Sequence, residues 1–396
     1  MRSRALLLLA LLLLAVRDER VAGRVIGITS DMESKFTPSF LAVLQEQVAL
    51  AAQYNRDAQG SPLRVSISAN TDWAWREAAE APNNNGRSRM ERAMEIVDEV
   101  ILMDYTATCH RPGAGSADPC DPHEFMQQAY PFFAHSRLLR SRSGNRSQEV
   151  LVSLALEVFG DPQPDPARTR GGWQDHRVRT TFELESFLAK SASWLGPPNP
   201  RGTIPFYGCY NLFDEWCPFH SFAIFEHTNY YNITALWPCP PDESVCDSRS
   251  RPPRAIWLYD VWRPMTPFDT AESDLLFDAR QRHAFIGWCR EQHVNELYLD
   301  MQGLPGCDAR GNASTAAALL KMVEELDAAS VDVQMFVGDV LGSGCPGRTG
   351  CGILDCTRAA VGFAAELRNR SDAHPGSPRS ERGGARAHSS PHHRGA

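Results

Sequence analysis

Asp31 and Glu33 stand one residue apart where the apolar run RVIGITSD (24–31) ends. On an extended strand, residues i and i+2 face the same side, so these two carboxyls point together. Two carboxyls that close do not both ionise freely, and one keeps its proton to higher pH. A Glu protonated near neutral pH is a general acid suited to a glycosidic oxygen. Asp31 and Glu33 are therefore candidates for acid-base chemistry at this strand end.

A pair of this kind needs a rigid strand behind it and further groups in front of it. Eight short runs rich in apolar and β-branched residues supply candidate strands: 24–31, 64–72, 99–105, 149–158, 222–227, 255–260, 296–300 and 332–339. Helical periodicity falls between many of them, at 40–54, 87–97, 279–293 and 314–329. Alternation of this kind predicts parallel βα units, and eight of them predict a (β/α)8 barrel. Such barrels carry their chemistry at the C-terminal strand ends.

Every predicted strand has a carboxylate at or near that end: Asp31 and Glu33, Asp72, Asp104, Glu157, Glu226, Asp260, Asp300 and Asp339. Helix capping accounts for many, because βα loops end in Asp. Capping accounts poorly for Glu157 and Glu226. Asp72, Trp73, Glu157, Glu226, Asp260, Asp300 and Asp339 are therefore candidate substrate contacts around one mouth. Trp73, Trp75, Trp257 and Trp262 also fall near strand ends, where rings stack on sugar faces or simply pack the core.

Composition bounds the rest. The chain has 396 residues, 43% hydrophobic and 22% charged, with net charge −8. That balance is globular, and it offers nucleic acid no basic face. Twelve apolar residues, Ala5 to Val16, follow Arg2 and Arg4. They are too few to span a bilayer and read as a secretory signal over 1–22, the chain's one expected meeting with a membrane. Eleven Cys, several closely spaced (Cys109/Cys120, Cys209/Cys217, Cys239/Cys246, and Cys345, Cys351, Cys356), predict short disulfide loops in an oxidising compartment. No CxxC or paired His accompanies them, so no metal and no other cofactor is expected. Sequons at Asn145, Asn232, Asn312 and Asn369 fit a secreted glycoprotein.

Two of the strand-end motifs are familiar. GITSDMES resembles the strand of chitinase-like glycoside hydrolases on which a D-x-E pair closes a longer acidic motif, and VILMDYTAT resembles their later M-x-Y strand. The whole set resembles an uncharacterised family of glycosidase-like (β/α)8 proteins. There AIWLYD matches the first strand, ELYLD the second, and FVGD the third, with Thr181-Phe182 ahead of the last. The resemblance implies that Glu33 is the general acid, with Asp31 beside it, and that Tyr105 hydrogen-bonds the developing intermediate. In chitinase-like enzymes the substrate's own N-acetyl group is the nucleophile. Otherwise Glu157 or Glu226 could serve. The motif departs from its pattern at Ile26 and Thr29, where two further Asp belong, and at Thr106, where another Asp is expected.

The same resemblance implies an order. Residues 23–237 look like strands four to eight, and 255–368 look like strands one to three. The Pro-rich stretch 238–254 is a linker without helical periodicity, which begins as early as Asn232. A disordered tail follows over 369–396. The prediction is a circularly permuted barrel. The rival is two partial barrels cut from a tandem array. The functional expectation is a secreted carbohydrate-active hydrolase. Its rival is a degenerate barrel that binds carbohydrate or protein without cleaving it.

Overall fold

Parallel strands covered on both faces need no alternation, and the runs VIGITSD, EVILM and RAIWL show none. In the computed structural model these runs form the staves of a closed barrel. The structure describes residues 25–31, 38–57, 62–70, 88–103, 131–136, 138–139, 150–158, 180–192, 222–225, 227–247, 254–258, 275–301, 304–307, 311–338 and 351–372. The expected signal over 1–22 and most of the 369–396 tail lie outside them. Among the described residues, no helix is long and apolar enough to cross a membrane.

The strands are β1 (Val25–Asp31), β2 (Arg64–Asn70), β3 (Glu99–Met103), β4 (Leu151–Glu157), β5 (Phe222–Phe225), β6 (Arg254–Leu258), β7 (Val294–Asp300) and β8 (Asp332–Phe336). All pairings are parallel, and they follow chain order around the ring. β8 then closes on β1 through Gly27↔Gln334, Ile28↔Met335 and Thr29↔Phe336. The front and rear portions therefore complete a single ring. This overturns the alternative of two partial barrels.

Helices cover the outside: α1 (Pro38–Asp57), α2 (Arg89–Met94), α3 (Thr181–Ala192), α4 (His227–Leu236), α5 (Ala279–Glu291), α6 (Ala313–Ala328) and α7 (Cys351–Asp372). α7 packs against α1 over the closing seam. Ser30 Oγ donates to Gln47 Oε1 at 2.9 Å, and Gln47 Nε2 donates to Thr357 Oγ1 at 2.9 Å, so β1, α1 and α7 are pinned by one buried chain of hydrogen bonds. Caps set several helix starts. Ser88 and Glu91 form a reciprocal capping box on α2, and Asn312 accepts from the Ser314 and Thr315 amides on α6.

Two expectations change here. Asn232–Leu236 is not free of helix; it forms the second half of α4. Its residues Tyr230 and Ile233 are buried, and packing overrides their weak helix propensity. The last helix, α7, runs to Asp372 and so takes in the first four residues of the stretch expected to be a disordered tail. The linker itself carries a short 3-10 turn, Ser244–Cys246, and the predicted Cys239–Cys246 disulfide. Cys356 pairs with Cys307, a partner 49 residues away, and not with a neighbour in its own cluster. Among the described residues Cys289 is a free, buried thiol, and burial pushes its pKa well up.

The core has two parts. The larger lies between sheet and helices. The smaller fills the barrel and consists of Ile101, Met103, Ala155, Ala223, Ala255, Trp257, Tyr298 and Phe336. Alanines on the adjacent strands β4, β5 and β6 leave the room that Trp257, Tyr298 and Phe336 occupy.

Candidate functional site at the barrel mouth

Because all eight strands are parallel, their C-terminal ends open at one end of the ring. Three of them terminate in acids: Asp31 on β1, Glu157 on β4 and Asp300 on β7. In register, Asp31 lies beside Ser68, Glu157 beside Phe225, and Asp300 beside Phe336. Asp300 lies two residues beyond Tyr298, so it shares the strand phase of an interior residue. The Asp300 side chain is buried.

The floor under this mouth is aromatic. Trp257 and Tyr298 are register partners, and their rings stack at 4.5 Å with 25° between planes. Both are fully buried. Trp257, one of the rings that could have faced a sugar, is therefore core.

Glu33, Asp72, Trp73, Tyr105, Glu226, Asp260 and Asp339 lie outside the described residues, as do Asp104, Trp75 and Trp262. The structure thus brings Asp31, Glu157 and Asp300 of the predicted set to one end of one ring. It gives no position to the others. Among the described residues no group of three His, Cys, Asp or Glu could hold a metal ion.

Below the aromatic floor is a polar layer that the strand-end reading does not anticipate. Gln334, in the middle of β8, is its hub. Its Oε1 accepts from Thr29 Oγ1 and from Ser66 Oγ, both at 2.6 Å. Its Nε2 donates to Glu296 Oε1 at 2.5 Å and to Glu99 Oε2 at 3.1 Å. Ser153 Oγ donates to Glu99 Oε1 at 2.6 Å. Arg64 places its guanidinium 3.7 Å from Glu99 and 3.9 Å from Glu296. Burial, and next the Glu99 charge, push the Glu296 carboxyl up to about 7. The signal for this layer is in the sequence: Glu99 opens the run EVILM, and Glu296 interrupts VNELYLD.

On the outer layer, a groove of about 310 Å³ between α5 and α6 is lined by His283, Ile286, Gly287, Arg290, Glu325 and Ala328. It shares no residue with the mouth.

No protein-family model matches this sequence, and no curated protein does. Among solved structures, the chain is similar to an endo-beta-1,4-mannanase double mutant from Cellulomonas fimi. The identity is 10%, over 86% of this chain and 71% of that one, with a TM-score of 0.40. The barrel assignment rests on the closed ring of strands in the chain itself.

Proposed function

We propose that the protein is a secreted, carbohydrate-active hydrolase of the glycosidase type, with its site at the C-terminal mouth of the barrel. The observation that supports this reading is that Asp31, Glu157 and Asp300 end three strands at the same end of a single closed ring. In this reading Glu33 protonates the glycosidic oxygen, Asp31 holds it in its acid form, and Tyr105 donates to the intermediate. Asp300 and Glu157 contact the sugar, as do Asp72, Trp73, Glu226, Asp260 and Asp339. The two disulfides among the described residues support an oxidising compartment, the setting in which the sequons would carry N-linked glycans.

A second reading, a barrel that binds a glycan without cleaving it, is favoured by Thr29. Where the resembled motif would carry a charge, this chain has a neutral hydroxyl, and that hydroxyl is engaged with Gln334 below the mouth. It adds no charge to hold a proton on Glu33.

Hydrolysis of an aryl-glycoside panel by the full chain and by Glu33→Gln separates the two. The first reading expects turnover that falls by about a hundredfold or more in the variant. Absence of turnover, or equal turnover in both, sinks it. Glycan-array binding that survives Glu33→Gln supports the second.

A further inference from the structure

We propose that Glu99 and Glu296 form a buried proton-binding site inside the barrel, which makes the fold sensitive to pH around neutrality and firmest in mildly acidic surroundings. The site is separate from the mouth and does not depend on the function proposed for it.

The geometry carries the argument. Glu99 is fully buried, and Glu296 is 6% exposed. Both reach the same Gln334 amide nitrogen, which brings their carboxyl groups to one point in the barrel. The charged and titratable groups facing them come from every strand that carries one at this level. Among the described residues Arg64 on β2 is the cation within 4 Å of both. Asp332 on β8 adds negative field, and Tyr298 on β7 interacts with Arg64. β1 and β4 present the hydroxyls Thr29 and Ser153, and β5 and β6 present Ala223 and Ala255. Among the described residues, two carboxylates and one guanidinium leave an excess negative charge around two buried carboxyl groups. Removing that charge by binding a proton costs less than burying it.

The sign follows. The Glu296 carboxyl rises from 4.5 to about 7 in the folded state. Below the lower value both folded and unfolded chains hold the proton. Between the two values the folded chain holds it and the unfolded chain does not, so each step up in pH draws the equilibrium toward the unfolded state. The contribution is lost once the pH passes about 7. Across this window the folding equilibrium constant falls on the order of a hundredfold.

Denaturant unfolding of the full chain between about pH 5 and about pH 8, at fixed ionic strength, tests the site. Glu296→Gln keeps an acceptor for Gln334 and removes the titration. The expected result is a stability loss across this range in the wild type that the variant does not share. Equal losses in both overturn the proposal. Should Glu296→Gln not fold, the glutamate carboxyl carbons of the wild-type protein can be followed by carbon-13 NMR. One resonance titrating near neutral pH is expected, and titration of all glutamates below about pH 5.5 overturns it.

Discussion

Glu185 grips Arg254 through two parallel hydrogen bonds, 2.8 and 3.0 Å long, in a buried site. The pair joins α3 to the first residue of β6, where the chain re-enters the barrel after its Pro-rich connection. Tyr230 from α4 accepts a further bond from the same guanidinium at 2.9 Å. Removing one partner leaves the other charged and buried, which costs about 3–5 kcal/mol. Arg254→Met should therefore destabilise the barrel by that order in urea unfolding. Arg254→Met with Glu185→Leu should recover most of the loss, because the pair's desolvation disappears with it. A double variant no more stable than the single one would count against this account.

Gly27 is a place where the chain tolerates no side chain. A Cβ there would sit 2.9 Å from the Arg64 carbonyl oxygen and 3.1 Å from Gln334 Oε1. The first atom is backbone of the neighbouring strand and cannot yield. Gly27→Ala should cost about 1–3 kcal/mol, with a lowered thermal midpoint. An unchanged midpoint would show that β1 shifts freely against β2.

The two disulfides should differ in worth. Cys239–Cys246 closes a loop of 7 residues and Cys307–Cys356 one of 49. On the chain-entropy view they stabilise by about 2 and about 4 kcal/mol. Cys356→Ser should lower stability more than Cys246→Ser, and hydrogen exchange should rise at Leu304–Cys307, which the longer bridge ties to α7. Equal effects of the two variants would contradict the assignment of the tether.

Asp300 offers a check on the mouth that leaves the shape intact. Under the proposed function, Asp300→Asn should reduce turnover or glycan binding about a hundredfold with little change in thermal midpoint. Loss of stability without a selective loss of binding would make Asp300 a structural group.

The eight strands were legible because parallel strands buried on both faces leave uninterrupted apolar runs, and every predicted run overlaps one of the eight, with β6 and β7 starting one and two residues earlier than read. Closure was legible only as a count of eight, since no local signal says that β8 meets β1. α3 went unread although Thr180 and Glu183 exchange reciprocal capping bonds, each 3.1 Å, a pattern visible as T-x-x-E. α4 was misread because Tyr, Ile and Thr favour strands and prolines follow closely. The Cys307–Cys356 pairing could not be inferred from spacing, because its partners meet only after two intervening elements fold. The Glu99–Glu296 layer was overlooked for a different reason: strand-end acids draw attention to the mouth, while an acid within a buried run signals a private network. Glu33 and Tyr105 owe their roles to resemblance.

The Cys239–Cys246 loop holds the exposed residues Pro240, Pro241, Asp242, Glu243 and Ser244 on the connection between α4 and β6. A protease that nicks the polypeptide inside this loop would divide it into an amino-terminal and a carboxy-terminal fragment of unequal size. The sulfur link would hold them together, and the paired strands would keep their places. Such a molecule would migrate as one species on a non-reducing gel and as two after reduction, while still unfolding as a unit.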